Sequence, residues 1–407
     1  MERDVVVTGL GAVTSVGTGV DETWENVQQG VSGAGHVTRF DPDEYSQCVD
    51  LAAEVDFDPA NHDVVDDRRM GQHSQYAIAA VEEALSDAGF GPSDPAWDPA
   101  RVGVSIGSGI GGLPEEEGGV RTQEDDGRLS PQFMLTTLPN LSSGFVSIEY
   151  DAGGPNRSES TACAAGTHSI VDAVDDIRLG RADVMLAGGA EAAIGPLGVG
   201  GFGAMRALST QTDAPEMASR PFDVDRDGFV MSEGAGILVL ESRSHAEERG
   251  ADPLATVSGV GVSADASHPT DPHEDAWGLR RAMRMAMDDA GLDAEAVDLV
   301  NAHGTSTPSC DAHEASAIDI LFEDPPAVTA PKSMLGHSLG ASGAIEAVLS
   351  VLAIQEDRIP PTINHDQPDP ECDVPVVTSS REASVETVMN NSAGFGGTNG
   401  VMLLETP

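Results

Sequence analysis

Apolar residues recur along the chain in two rhythms. Short continuous runs at residues 4–10, 102–106, 184–187 and 236–240 predict buried strands. Between them, residues 73–88 carry Ala77, Ile78, Val81, Ala84 and Leu85 at helical spacing, with Gly89 as the stop. Ile170, Val174 and Ile177 share one face of a second helix that continues from Cys163 to Leu179. Residues 114–130 are acidic and glycine-containing, which predicts a surface excursion. A polar helix over 241–251 closes at Arg249-Gly250, and there the pattern restarts. Residues 255–262 read as a strand, 277–290 as a helix and 297–301 as a strand. Residues 338–355 read as a helix of small residues, and 388–391 and 401–404 as closing strands. Strands alternating with helices on both sides of the restart imply an α/β fold layered around mostly buried sheets. The restart divides the chain into halves at 1–250 and 251–407.

Composition sharpens this picture. At 407 residues with 40% hydrophobic content the chain can bury a large core, in two packed halves rather than one. A net charge of −47 and a pI near 4.2 argue against nucleic-acid binding and polybasic membrane contact. The acids are scattered among periodic apolar positions instead of forming blocks, which argues for folding over disorder. Of 21 basic residues only Lys332 is a lysine. Carboxylate excess with lysine depletion fits adaptation to molar salt, where screening acts over about 3 Å. These features predict a halophile's cytoplasmic protein. The start Met1-Glu2-Arg3-Asp4 lacks the layout of a secretory signal, and no apolar run approaches the roughly 20 residues that span a bilayer. Cys48, Cys163, Cys310 and Cys372 show no CxxC spacing and read as thiols in a reducing compartment.

Chemistry concentrates in a few stretches. Lys332 offers a compact ammonium that arginine's planar fork does not imitate, and it lies five residues before His337. Cys163 sits among small residues at the start of a helix, where the dipole favours a thiolate nucleophile; a buried core thiol is the plainer alternative. Cys48, Cys310 and Cys372 lie in polar loop sequence and read as structural. His303 follows the strand 297–301 directly, at the carboxyl end where α/β proteins place reactive groups. The glycines of Gly394-Phe395-Gly396-Gly397 can present backbone N–H groups to an oxyanion. Three other motifs read as decoys. Gly107-x-Gly109-x-x-Gly112 runs into Pro114 and acids that do not suit a pyrophosphate, so it is a turn lining a pocket. Asp223-x-Asp225-x-Asp227-Gly228 lacks the calcium loop's twelfth ligand, and His268 with His273 fits no zinc spacing.

Seven stretches together resemble the elongating β-ketoacyl-acyl-carrier-protein synthases of the thiolase-like fold. They are VVVTGLGAVTSVG, TACAAG, ASRPFDVDRDGFVMSEGAGILVLE, NAHGTST, KSMLGH, PPTIN and NSAGFGGTNG, and they run through nearly the whole chain. The resemblance implies a five-layered αβαβα fold of two related halves, a homodimer, and decarboxylative Claisen condensation without metal or redox cofactor. It makes Cys163 the acyl carrier and gives the oxyanion to the N–H groups of Cys163 and Phe395. It assigns malonyl decarboxylation to His303 and His337, with Lys332 in electrostatic support, tied to Glu314 or another nearby carboxylate. Thr305 and Thr307 match pantetheine contacts, and Ile110, Phe202 and Phe395 match pocket and gate positions. Arg68, Arg69 and Arg206 match positions that dock an acidic carrier protein; coenzyme A thioesters are the alternative donors. One departure stands out: Ala393 replaces a usual phenylalanine beside the gate.

Overall fold

The computed structural model describes residues 3–62, 64–91, 94 and 96–407. Its first half contributes strands β1 (Val5–Thr14), β2 (Val102–Gly107), β3 (Asn156–Arg157), β4 (Val184–Glu191) and β5 (Gly234–Ser242). The second half contributes β6 (Ala255–Ala264), β7 (Leu299–Asn301), β8 (Ala327–Thr329), β9 (Thr387–Gly394) and β10 (Thr398–Glu405). They form one continuous path in the order β3-β2-β4-β5-β1-β6-β10-β9-β7-β8. Counted within each half, both sheets have the order 1-5-4-2-3. The directions repeat as well. β2 runs parallel to β3 and β4, as β7 does to β8 and β9, while β5 and β10 are antiparallel to both their neighbours. The antiparallel pair β1–β6 joins the sheets.

Strand alternation explains the layering. On β5, Leu238 and Leu240 face a central core with Ile170 and Val174 of α2 (Ala165–Arg178) and Val348 and Val351 of α5 (Ser342–Gln355). Ile237 and Val239 face the other way, onto Ala77 and Val81 of α1 (Gln72–Asp87). β10 repeats the device: Met402 and Leu404 enter the central core, while Val401 and Leu403 meet α3 (Trp277–Ala290) and α4 (Pro308–Leu321). Strands buried on both faces need continuous apolar sequence, and that is the rhythm the chain shows. The resulting layers are α1, sheet, α2 with α5, sheet, and α3 with α4.

Glycines set the central spacing. A β-carbon on Gly236 would lie 2.4 Å from the Ile345 amide nitrogen, so α5 rests directly on the β5 backbone. Gly189 and Gly166 likewise leave room for the Gly340 carbonyl, at 2.5 and 2.8 Å from their would-be β-carbons. These contacts bring the starts of α2 and α5 together, and that junction carries the site.

Some local expectations change. Residues 114–130 are largely exposed, as a surface excursion should be, but they open in a helix, Leu113–Glu124: Pro114 suits its first turn, and Glu115 and Glu116 complement its N-terminal dipole. Glu241 and Ser242 belong to β5, so the polar helix is only Arg243–Arg249, ended by Gly250 at φ 75°. Asp223 accepts the amides of Asp225, Asp366 and Gln367, and Asp227 accepts the Ser209 hydroxyl, so this motif is a structural turn. Among the described residues no helix is long and apolar enough to cross a membrane.

Gly236→Ala should overpack this junction and lower unfolding stability by about 1–3 kcal/mol or more in chemical denaturation. Unchanged stability would mean the helix–sheet spacing is not set there.

Candidate active site

Cys163 occupies the middle of a 3₁₀ turn, Ala162–Ala164, that leads into α2. Ala162 opens the turn at φ 51°, a left-handed conformation costly for a residue with a β-carbon. α5 is entered the same way: Leu339 opens the 3₁₀ turn Leu339–Ala341 at φ 46°. Phe395 lies in the turn between β9 and β10, beside Gly394, whose absent side chain allows approach to the Thr161 carbonyl. The backbone N–H groups of Phe395 and Cys163 both favour the charged form of the Cys163 sulfur. The expected resting thiolate is not what the surroundings favour. Burial pushes the thiol up to about 12; Lys332 and the two N–H groups pull the other way, and Glu191 adds to the rise. Helix position alone favours a thiolate, but Cys163 is only 9% exposed.

His303 follows the end of β7 by two residues, and His337 lies between the short helix Lys332–Leu335 and the turn before α5. Their rings stand at 88°, with centroids 5.3 Å apart. Lys332 Nζ is 3.4 Å from His303 Nδ1. An ammonium can only donate, so Nδ1 accepts and Nε2 carries the ring proton. His337 Nδ1 pairs with Ser342 Oγ at 2.9 Å. Burial first, and then the Lys332 charge, hold both imidazoles well below their ordinary range, so both are neutral.

Lys332 itself is 1% exposed and ion-paired with Glu346 of α5, which is equally buried. Burial pushes Glu346 up to about 7, and Lys332 draws it back. Glu314 is therefore not the lysine's direct partner. Its carboxylate instead accepts the amides of His303 at 2.9 Å and Gly304 at 2.8 Å, plus Asn391 Nδ2 at 3.1 Å, and so shapes the His303 loop. Glu191 does comparable work beside the cysteine. From the end of β4 it accepts Ser108 Oγ and the amides of Gly109 and Gly340 at 2.9, 2.7 and 3.1 Å, which ties the two halves together. The glycine-rich stretch 107–112 is thus a turn whose amides at Gly109, Ile110 and Gly111 fold onto the Glu191 carboxylate.

Cys163, His303 and His337 share a cavity of about 300 Å³. Thr305 and Thr307 line it with hydroxyls 3.0 Å apart, and Phe202 and Phe395 face each other across it at 6.2 Å. Ile110 packs in the apolar cluster that holds Cys163 and Phe202. Exposed Arg206 and Asp271 mark the opening. Arg68 and Arg69 lie outside it, before α1: Arg68 is exposed against Asp66, and Arg69 stands 6.0 Å over the Phe145 ring. Cys310 is in the first turn of α4 and lines the cavity, contrary to its reading as loop sequence. Residues that sequence reasoning missed are Glu346, Glu191 and Ser342. The two glutamates carried a signal, each being a lone carboxylate in an otherwise apolar or small-residue element.

Two family models match the chain, the β-ketoacyl synthase N-terminal domain over residues 2–246 and the C-terminal domain over 254–366. The 3-oxoacyl-[acyl-carrier-protein] synthase 2 of Coxiella burnetii is 46% identical over 411 residues, covering 99% of this chain and 98% of that protein. Among solved structures, the ishigamide ketosynthase/chain length factor superposes with a TM-score of 0.93 at 38% identity, covering all of both chains. A type II polyketide ketosynthase solved in complex with its acyl-carrier protein gives 0.88 at 33%, again covering all of both chains. With its thiolase-like five-layered fold, the chain belongs to the β-ketoacyl synthase family.

Proposed function

We propose that this protein is a 3-oxoacyl-[acyl-carrier-protein] synthase that extends an acyl chain with malonyl-carrier protein. The observation that carries the reading is one cavity that brings Cys163, whose thiolate two backbone N–H groups favour, together with two imidazoles kept neutral by burial and a buried lysine. Cys163 exchanges its thiol for the carrier's: the acyl–S bond forms at Cys163, and the carrier thiol leaves with the proton. The malonyl thioester then binds with its carbonyl oxygen at the two imidazoles, where His303 presents Nε2–H. Its C–CO₂⁻ bond breaks, carbon dioxide departs, and the electron pair becomes the enolate whose charge those donors stabilise. The enolate carbon attacks the acyl carbonyl. The N–H groups of Cys163 and Phe395 hold the resulting oxyanion until the Cys163 thiolate is expelled. Burial and, after it, the Lys332 charge keep the imidazoles neutral, and the lysine is itself balanced by Glu346.

The wider reading places Thr305 and Thr307 along the pantetheine arm, and Ile110, Phe202 and Phe395 around the acyl chain. Arg68, Arg69 and Arg206 contact the acidic carrier. It includes a division at residues 250 and 251, supported by the repeated strand order, a homodimer, and the cytoplasm of a halophile, supported by the −47 charge. The polyketide neighbours favour one second reading: a polyketide-type enzyme, or one using coenzyme A thioesters, on the same site.

Condensation in molar potassium chloride, with malonyl and acyl groups on carrier protein or on coenzyme A, separates the readings. Product only from carrier thioesters supports the first, and product from coenzyme A alone moves the protein to the second. Cys163→Ala should abolish acyl transfer; an acyl adduct persisting on the intact variant in mass spectrometry would refute the nucleophile. Exchanging the ion pair for K332M/E346Q removes the positive charge that depresses His303 and His337. In ¹⁵N-histidine spectra both rings should then titrate at higher pH than in the parent protein; unmoved titrations would show that Lys332 does not set their charge. The thermal midpoint should rise with potassium chloride through the molar range, and a flat response would exclude salt adaptation.

A further inference from the structure

The alternation of β9 turns Ser392 toward the central layer, where its hydroxyl meets Thr167 at 2.7 Å. It turns Asn391 and Ala393 toward α4. Asn391 reaches across to Glu314, but the methyl of Ala393 does not reach its side of α4. The gap is a second cavity of about 20 Å³, walled by Ala393, Cys310, Leu279 and Ala276 and reaching His303. This branch shares Ala393, Cys310 and His303 with the main cavity and so adjoins it at that wall. A water-sized group occupies about 10–15 Å³ on this measure, so the branch holds one methyl and not a ring.

Its polar wall groups have partners. Asp265 Oδ1 accepts from Asn399 Nδ2 at 2.9 Å, Glu314 is held by the His303 and Gly304 amides, and His313 Nδ1 pairs with the Ser309 carbonyl. The face left for a ligand is therefore chiefly alanine, leucine and cysteine carbon and sulfur.

This space lies where the extender unit must bend. His303 holds the thioester oxygen of the malonyl group under the proposed function, and the α-carbon is the next atom but one. A substituent on that carbon, directed away from the Cys163 sulfur, passes His303 and enters the branch at Ala393. We propose that Ala393 is a specificity-determining position that admits an α-methyl group, so that the enzyme condenses methylmalonyl as well as malonyl thioesters. The inference rests on the condensing function proposed above. The step balances as before: the C–CO₂⁻ bond breaks, its electron pair forms the bond to the acyl carbonyl carbon, and the Cys163 thiolate leaves. The products are a 2-methyl-3-oxoacyl thioester and carbon dioxide, with no oxidant or reductant.

Equimolar malonyl and racemic methylmalonyl thioesters on the same carrier would compete for the acylated enzyme, with both products read by mass spectrometry. The parent protein should yield both. Ala393→Phe should lower the methylated-to-unmethylated ratio roughly 10- to 200-fold, the range for a methylene-sized change in an apolar pocket, with Ala393→Val between. Acylation of Cys163, read in the same samples, identifies variants whose site is intact, and the valine variant carries the comparison if phenylalanine disrupts it. Unmethylated product alone from the parent, or a ratio unchanged across the series, would overturn the inference while leaving the condensing function standing. Absence of both products from an acylated parent would overturn the condensing function and this inference with it.

Discussion

A single buried charge pair organises the candidate site. Taking an ammonium and a carboxylate out of water costs several kcal/mol per ion even after relaxation, and such a pair returns little net stability. Lys332 and Glu346 are nonetheless both about 1% exposed, at the heart of the molecule. Their use is electrostatic. The lysine fixes the tautomer of His303 and adds to the burial that keeps two imidazoles from protonating, while the glutamate makes the lysine tolerable in a low-dielectric interior. Neither partner can be lost alone without leaving an uncompensated charge, so α5 and the segment at 332 are bound to one another as chemistry and as fold.

The surrounding architecture makes that centre rigid. Gly166, Gly189, Gly236 and Gly340 let helices and strands approach to backbone contact, which leaves few ways for the cysteine turn to shift against the histidine segment. Buried carboxylates complete the frame, each spending its oxygens on amides of a particular loop: Glu314 on the His303 loop, and Glu191 on the 108–111 turn and Gly340. These hydrogen bonds, with the apolar packing around Cys163, fix where the loops of the site stand.

Much of this was legible in the chain. Continuous apolar runs announced strands buried on both faces, and the restart near residue 250 announced a second set. Cys163, His303, His337 and Lys332 stood out by residue type and by the small residues around them. The helix at 113–124 was hidden because its acidic face looks like surface loop, and packing against Phe133 rather than apolar periodicity holds its buried Gly119. The partner of Lys332 was ambiguous because reach across layers cannot be read along a sequence: Glu314 and Glu346 are each a short interval from the motif, and only the fold shows which one faces the ammonium. The protonation state of Cys163 was obscured for a related reason, since a helix start is local whereas desolvation is made by the whole surroundings.

The matching left-handed residues, Ala162 before α2 and Leu339 before α5, show how far the two halves have parted company. Each opens an equivalent turn, and the second position of the turn is Cys163 in one and Gly340 in the other. A β-carbon on Gly340 would strike the Gly109 amide nitrogen at 2.3 Å and Glu191 at 2.8 Å, so no second cysteine fits there. A near-symmetric scaffold thus carries a one-sided chemistry. One turn keeps the sulfur and the other does without a side chain, so that Gly340 can reach the Gly109 and Glu191 frame beside the first.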